Sequence, residues 1–323
     1  MKALRFDRFG PPEVLSLSDV PKPRPEMGEV LVRVYAAGVN FFEVLMRADR
    51  YAVTPELPMM PGVEVAGVVE AIGVGVPADM IGTRVAVPLF ALGQGGGYAE
   101  YVTASAAAVV PVPDALSFAD AVALMVQGLT ALHLVRQSPP AGRAVLVHAA
   151  AGGVGSLLVQ LAKRHGAARV IATASTGEKR SLALSLGADV AIDYSVTGWE
   201  AAAAAERPDV IYDTIGGDVT HASLSALADG GALVFAALGR FSLGSPQLNA
   251  MFERNQSLKG FALLPLLGGT VAGDLRMLFE LAVAGEIECL PATQFPLDQA
   301  AEAHRVIESR SVSGKVMLVP LTE

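Results

Sequence analysis

The sequence predicts an α/β protein: a mostly β amino-terminal domain joined to a doubly wound domain on a parallel sheet. Three observations predict it. Roughly the first 115 residues carry short β-like runs broken by Pro and Gly. From residue 143 onward, short apolar strands alternate with helical stretches. A glycine-rich turn at 150–155 sits where the first of those strands meets a helix.

The chain has 323 residues, of which 52% are hydrophobic and 17% charged. That length exceeds the size at which single cores stop growing, so two domains are expected. The composition excludes a disordered chain. The formal charge is −8, and the basic residues are scattered. General nucleic-acid binding is therefore not expected, because phosphate neutralisation supplies most such affinity. No apolar run is read as a membrane span, and the charged start from Met1 to Asp7 is not read as a signal peptide. The one cysteine, Cys289, cannot form an intrachain disulfide, which fits a reducing cytoplasm.

In the first part, strands are expected at 29–35, 64–72 and 84–87. The prolines at 21, 23 and 25 mark an extended connector, and 93–97, with four glycines, a loop. Ser117 followed by Asp120 resembles a capping box with Asp in place of Glu or Gln, opening a helix to about residue 135. Strands are then expected at 144–149, 169–175, 189–194, 209–215, 232–238 and 257–263. The spacing predicts helices over 154–165, 177–186, 270–284 and 298–309, with the second closed by Gly187. The alanine tract 201–205 reads as helix. Further β segments fall at 290–295 and 315–319. Apolar strands alternating with helices imply a parallel sheet covered on both faces.

The pattern G-x-G-x-x-G maps onto Ala150, Gly152 and Gly155, with Ala in the first place and an extra Gly153. Strand, turn, helix and a following βαβ repeat supply the context that a dinucleotide site requires. A tight structural turn without a ligand is the alternative. Sites for NAD place an acidic side chain at the end of the next strand to hold the ribose 2′-OH. Here that strand ends in Ala174, Ser175 and Thr176; Glu178 is expected beyond the strand end, and Lys179 and Arg180 follow. Hydroxyls and cations suit a 2′-phosphate, so the cofactor is expected to be NADPH. The five histidines show no metal-ligand spacing and there is no Cys-x-x-Cys run, so no zinc is expected.

Several segments carry a resemblance: Ala37-Gly38-Val39-Asn40-Phe41, Pro61-Gly62-Val63-Glu64-Val65-Ala66-Gly67, Gly128-Leu129-Thr130-Ala131, the turn at 149–155, Asp213-Thr214-Ile215-Gly216-Gly217 and Ser313-Gly314-Lys315-Val316. In this order they resemble the medium-chain dehydrogenase/reductase superfamily, in the zinc-independent quinone oxidoreductase branch that includes zeta-crystallin. Where zinc alcohol dehydrogenases carry Gly-His-Glu, this chain has Gly62-Val63-Glu64. The branch usually continues after its Asn with an Asp and an aromatic; here Glu43 and Leu45 stand in those places, while Tyr51 is retained.

The resemblance implies a GroES-like catalytic domain (1–120 and 264–323) and a Rossmann NADPH-binding domain (121–263). It implies that Asn40 and Thr130 approach the nicotinamide and that Gly152, Gly153 and Val154 hold the pyrophosphate. Ser175, Lys179, Tyr194 and Arg310 would surround the 2′-phosphate, and Thr214, Leu238, Gly239 and Phe261 would line the rest of the cofactor's path. Asn40 and Tyr51 are the candidates for orienting or hydrogen-bonding the acceptor. The expected activity is hydride transfer from NADPH to quinones. An enone, alkenal or enoyl-thioester acceptor remains open, as does an NADPH-binding structural or regulatory role. A homodimer through the edge strands 232–238 and 257–263 is implied as well.

Overall fold

β1 (Lys2–Arg5) and β2 (Ser16–Asp19) open the chain as an antiparallel pair. β3 (Glu29–Val39) then runs through eleven residues, with residues 36–39 all buried. α1 (Phe41–Arg47) follows at once; the Glu43 carboxylate reaches back to the Asn40 N–H at 2.9 Å, closing the first turn. β4 (Val65–Ile72), β5 (Arg84–Val87), β6 (Tyr101–Ser105) and β7 (Val110–Pro111) complete the amino-terminal strands. The structure is a computed structural model, and residues 1–237 and 242–320 are described.

Ser117 caps α2 (Phe118–Ala123) by accepting from the Asp120 N–H at 3.0 Å. The Asp120 carboxylate takes the Ser117 hydroxyl instead of a backbone N–H, so the box is only half formed. A π-turn over Leu124–Gly128 leads into α3 (Leu129–Gln137). The run Phe118–Gln137 is long and apolar enough by composition to cross a membrane, contrary to expectation. Its 18-residue apolar window is 67% buried, as in a core helix of a globular protein.

The chain divides into two compact units, Met1–Leu129 with Leu267–Glu323, and Thr130–Leu266. The sequence reading placed the divisions at 120/121 and 263/264. The first difference arises because helix runs through the division, leaving no turn residue there to read.

In the second unit the alternation is regular. It runs β8 (Ala144–Val147), α4 (Gly153–Arg164), β9 (Arg169–Thr173), α5 (Gly177–Ser185), β10 (Val190–Ile192) and α6 (Trp199–Ala205). Then come β11 (Val210–Asp213), α7 (Asp218–Ala226), β12 (Ala232–Phe235), α8 (Ser245–Glu253) and β13 (Ser257–Gly260). All pairings are parallel, in the order β10-β9-β8-β11-β12-β13. This is the doubly wound order, reversing between β8 and β11. β10 and β13 are the edges and β12 lies inside the sheet, so of the two strands expected at the edge only β13 is one.

The first unit is completed by α9 (Val271–Val283), β14 (Thr293–Pro296), α10 (Ala300–Ser309) and β15 (Val316–Val319). Its main sheet runs β14-β15-β3-β4-β5-β7, with β6 also on β3. The core is valine-rich, from Val30, Val32, Val34, Val65, Val69 and Val85.

Candidate functional site

The glycine turn lies at the carboxyl end of β8, beside the point where the strand order reverses. Ala149 takes a left-handed φ of 48°. The Ala150 N–H donates to the Thr173 carbonyl at 3.1 Å, tying the turn to β9. Gly152 caps α4 in an extended conformation and has no side chain to satisfy the first N–H groups of the helix. A Cβ at Gly155 would lie 2.2 Å from the Ala149 oxygen, so only glycine lets α4 start this close to the strand. Lys163 and Arg164 occupy the last turn of α4, where cations complement the macrodipole. Gly152, Gly153 and Val154 are half-buried at the positive end. The arrangement fits an anion such as a pyrophosphate.

β9 ends in buried Thr173 and Ala174, then half-buried Ser175. The Thr176 side chain caps α5 by accepting from the Lys179 N–H at 3.2 Å. Lys179 is half-buried. Arg180 is committed: it pairs with Asp193 at 2.5 Å and reaches the Ala174 carbonyl. Hydrogen bonds from the Ser195 hydroxyl and N–H, with Arg180 beside them, hold the Asp193 carboxyl below its ordinary value. Tyr194 packs against the Rossmann core. Thr214 is half-buried just past β11, next to Asp213, whose carboxylate accepts from the N–H groups of Ile215 and Gly216 and from the Thr220 hydroxyl. Phe261 follows β13, its N–H donating to the Phe235 carbonyl at 3.0 Å. Thr130 is half-buried in the first turn of α3. Leu238 and Gly239 lie outside the described residues.

In the first unit, three strand ends converge. Val316 pairs with Val39 and Val65 with Ala37, which brings Lys315 and Glu64 beside Asn40 and Gly38. A Cβ at Gly38 would lie 2.2 Å from Glu64 Oε1, so glycine there makes room for the carboxylate. Lys315 and Glu64 form an ion pair with both side chains fully buried. The Lys315 ammonium also donates to Asn40 Oδ1 at 2.8 Å. Asn40 Nδ2 donates to Glu64 at 2.9 Å and to Glu43 at 3.3 Å. Glu64 Oε2 accepts from the Val126 N–H at 2.8 Å. Asn40 therefore has its amide committed internally and is only 5% exposed.

The network continues from Glu43. Its carboxylate accepts from the Gly62 N–H at 2.8 Å and the Tyr98 hydroxyl at 3.2 Å. Burial pushes the Glu43 carboxyl up to about 7, opposed by the Gly62 N–H. Tyr98 contacts His304, and His304 contacts Arg47, which pairs with Glu308 at 2.6 Å. Burial, with Arg47 adding, lowers His304 to about 3. Tyr51 differs from this group. It is half-buried, its ring lies 5.8 Å from Phe42, and its hydroxyl has no hydrogen-bond partner among the described residues. Arg310 is exposed at the end of α10 with φ 54°.

Sequence reasoning quoted Glu64 and Lys315 only as motif residues and Glu43 only as a departure, gave no role to Tyr98, and considered His148 and His304 only as metal ligands, which it excluded. The one available signal was a charged residue inside an apolar run, Glu64 between Val63 and Val65 and Lys315 before Val316. Among the described residues no group of three or more His, Cys, Asp or Glu is placed to hold a metal ion.

Known proteins match this arrangement over its whole length. Residues 26–114 match the alcohol dehydrogenase GroES-like domain family, and residues 186–318 match the zinc-binding dehydrogenase family. A probable quinone oxidoreductase of Schizosaccharomyces pombe is 35% identical, covering 98% of this chain and 96% of its own length. The Escherichia coli quinone oxidoreductase, solved in complex with NADPH, superposes with a TM-score of 0.89 at 29% identity, covering 99% of this chain and all of its own (100%). The quinone oxidoreductase of Thermus thermophilus, solved alone and with NADPH, gives a TM-score of 0.83 at 35% identity, again covering 99% of this chain and 100% of its own. Fold, motif order and full-length similarity agree: the chain is an oxidoreductase of the medium-chain dehydrogenase/reductase superfamily and belongs to its quinone oxidoreductase branch.

Proposed function

We propose that this protein is an NADPH-dependent quinone reductase that works without a catalytic metal. The observation that carries the cofactor reading is the open amino terminus of α4 at the glycine turn, followed by a strand that ends in Ala174, Ser175 and Thr176 and not in an acidic residue. Gly152, Gly153 and Val154 hold the pyrophosphate. Ser175, Lys179 and Tyr194, with Arg310, hold the 2′-phosphate. Asn40, Thr130, Thr214 and Phe261, together with Leu238 and Gly239, bind the remainder of the cofactor. Two carboxylates lie near the second strand end: Asp193 is occupied by Arg180 and Ser195, and Glu178 stands exposed in the first turn of α5, beyond the strand end. NADPH-bound quinone oxidoreductases of the same fold support the choice.

When bound, NADPH supplies the hydride. The chain's own task is to orient the acceptor and stabilise the charge that develops on its oxygen. The Tyr51 hydroxyl, without a hydrogen-bond partner among the described residues, donates that hydrogen bond. Asn40 is the second residue to orient the acceptor, its amide held in place by Lys315, Glu64 and Glu43. The donor set does not fit zinc: position 63 is Val, Cys289 is the only cysteine, and both Glu64 oxygens are already bonded to Lys315, Asn40 and Val126. A quinone is activated enough for hydrogen bonding to suffice, whereas a simple ketone gains more from a Lewis acid.

The homodimer, with β13 as the pairing edge, and a cytoplasmic location belong to this proposal. The test follows NADPH absorbance with an ortho-quinone, a 2-alkenal and a crotonyl thioester. Fastest turnover with the quinone supports the reading. Preference for either other acceptor moves the substrate to enones or thioesters. Tight NADPH binding without oxidation by any of the three would favour a binding role.

A further inference from the structure

We propose that His148 is a positioning residue for the pyrophosphate turn, fixing its shape through a single neutral tautomer. The inference rests on the reading of that turn as the NADPH site. His148 is the residue before Ala149, which starts the turn in its left-handed conformation. Its ring is fully buried and edge-on to Trp199, with centroids 5.5 Å apart. Nδ1 lies 2.8 Å from the Thr173 hydroxyl and Nε2 lies 2.7 Å from the Ser223 hydroxyl.

The proton positions follow from the partners. Ser223 donates its hydroxyl hydrogen to the Val219 carbonyl at 2.6 Å, so its oxygen must accept from the ring. Nε2 therefore carries the proton, and Nδ1 accepts from Thr173. Burial lowers His148 to about 4, so the ring is neutral at physiological pH and this pattern holds. Thr173 is used twice: its hydroxyl bonds the ring of His148 and its carbonyl accepts from the Ala150 N–H. The residues on both sides of Ala149 are thus tied to Thr173 at the end of β9, His148 by its ring and Ala150 by its N–H. Through Ser223 the ring also ties α7 to the back of the turn. The strand end, the turn and α7 hold one another in register, and the N–H groups of α4 point where an anion needs them.

The test measures NADPH affinity by fluorescence titration, kcat and KM, and thermal stability for His148→Phe, Thr173→Val, Thr173→Ser and Ser223→Ala. Thr173→Val and His148→Phe are expected to weaken NADPH roughly tenfold, the scale of one lost buried hydrogen bond, with kcat at saturating NADPH within about twofold of wild type. Thr173→Ser retains the hydroxyl and is expected to rescue affinity. Ser223→Ala removes the acceptor for Nε2 and is expected to weaken binding as well. If Thr173→Val melts earlier yet binds NADPH like wild type, the role is structural only and the proposal is overturned. Should one variant not fold, the remaining Thr173 or Ser223 variants decide the matter by the same readout. Absence of NADPH binding by the wild type overturns the cofactor reading and this role with it, whereas wild-type binding with unaffected variants overturns only this role.

Discussion

Tyr51 and Asn40 look alike in the sequence as candidates for the acceptor, but their surroundings separate them. Asn40 spends both sides of its amide on Lys315, Glu64 and Glu43, while the Tyr51 hydroxyl has no hydrogen-bond partner among the described residues. Tyr51→Phe is therefore expected to lower kcat several-fold while leaving NADPH affinity unchanged, as steady-state kinetics and titration will show; unchanged kinetics would remove Tyr51 from the mechanism. Breaking the buried pair is a stability matter. Lys315→Met leaves Glu64 buried without its cation and is expected to cost about 3–5 kcal/mol in denaturant unfolding, partly recovered in Lys315→Met with Glu64→Gln. Glu43 adds a pH dependence. Its folded value of about 7 lies above the ordinary 4.5, so it contributes stability that is fully present below pH 4.5 and lost as pH rises through 7. By that linkage Glu43 offsets roughly 3 kcal/mol of acid loss. His148 and His304 act in the opposite direction. Their folded values of about 4 and 3 lie below the ordinary 6.5, so their burial costs stability as pH falls from 6.5. Glu43→Gln is expected to lose stability more steeply than wild type between pH 7 and 4.5; parallel curves in the two proteins would contradict this.

At the scale of elements, the glycine turn is the most sensitive junction. Gly155→Ala places a methyl against the Ala149 carbonyl at 2.2 Å, so α4 must move off the strand. Loss of NADPH binding together with a lower Tm is expected, and normal binding would show that the close approach is dispensable. In the second unit β8 to β12 were legible as short apolar runs, and α4 and α5 by their helical spacing, whereas α7 and α8 were given no bounds. α1 was not legible: seven residues with a Glu43 side-chain closure carry too little pattern. β3 was read four residues short because Ala36, Ala37 and Gly38 lack β-branched side chains, yet sheet neighbours on both sides hold them extended. The cofactor turn was legible for the same local reason, since strand, glycines and helix are contiguous. The Asn40–Glu64–Lys315 cluster was not, because its members lie 24 and 275 positions from Asn40 and only sheet register joins them. Arg180, read as one of two cations following the strand, is bound to Asp193, a partner just past the end of β10 that local sequence could not supply.

For the whole molecule, the open edge at β13 is the feature that calls for a partner. Exposed Leu248 and Phe252 lie on α8, immediately before that strand. The proposed dimer predicts twice the monomer mass on sizing with light scattering, and a monomer at working concentration would contradict it. The cofactor reading rests on a strand end that carries Ser175 and Thr176 where NAD sites carry an acidic residue, with Lys179 following. Its most direct test is the affinity of the wild-type protein for NADPH and for NADH, measured side by side by fluorescence titration at one ionic strength. The account predicts that NADPH binds at least roughly tenfold more tightly. Equal affinity for the two would contradict it.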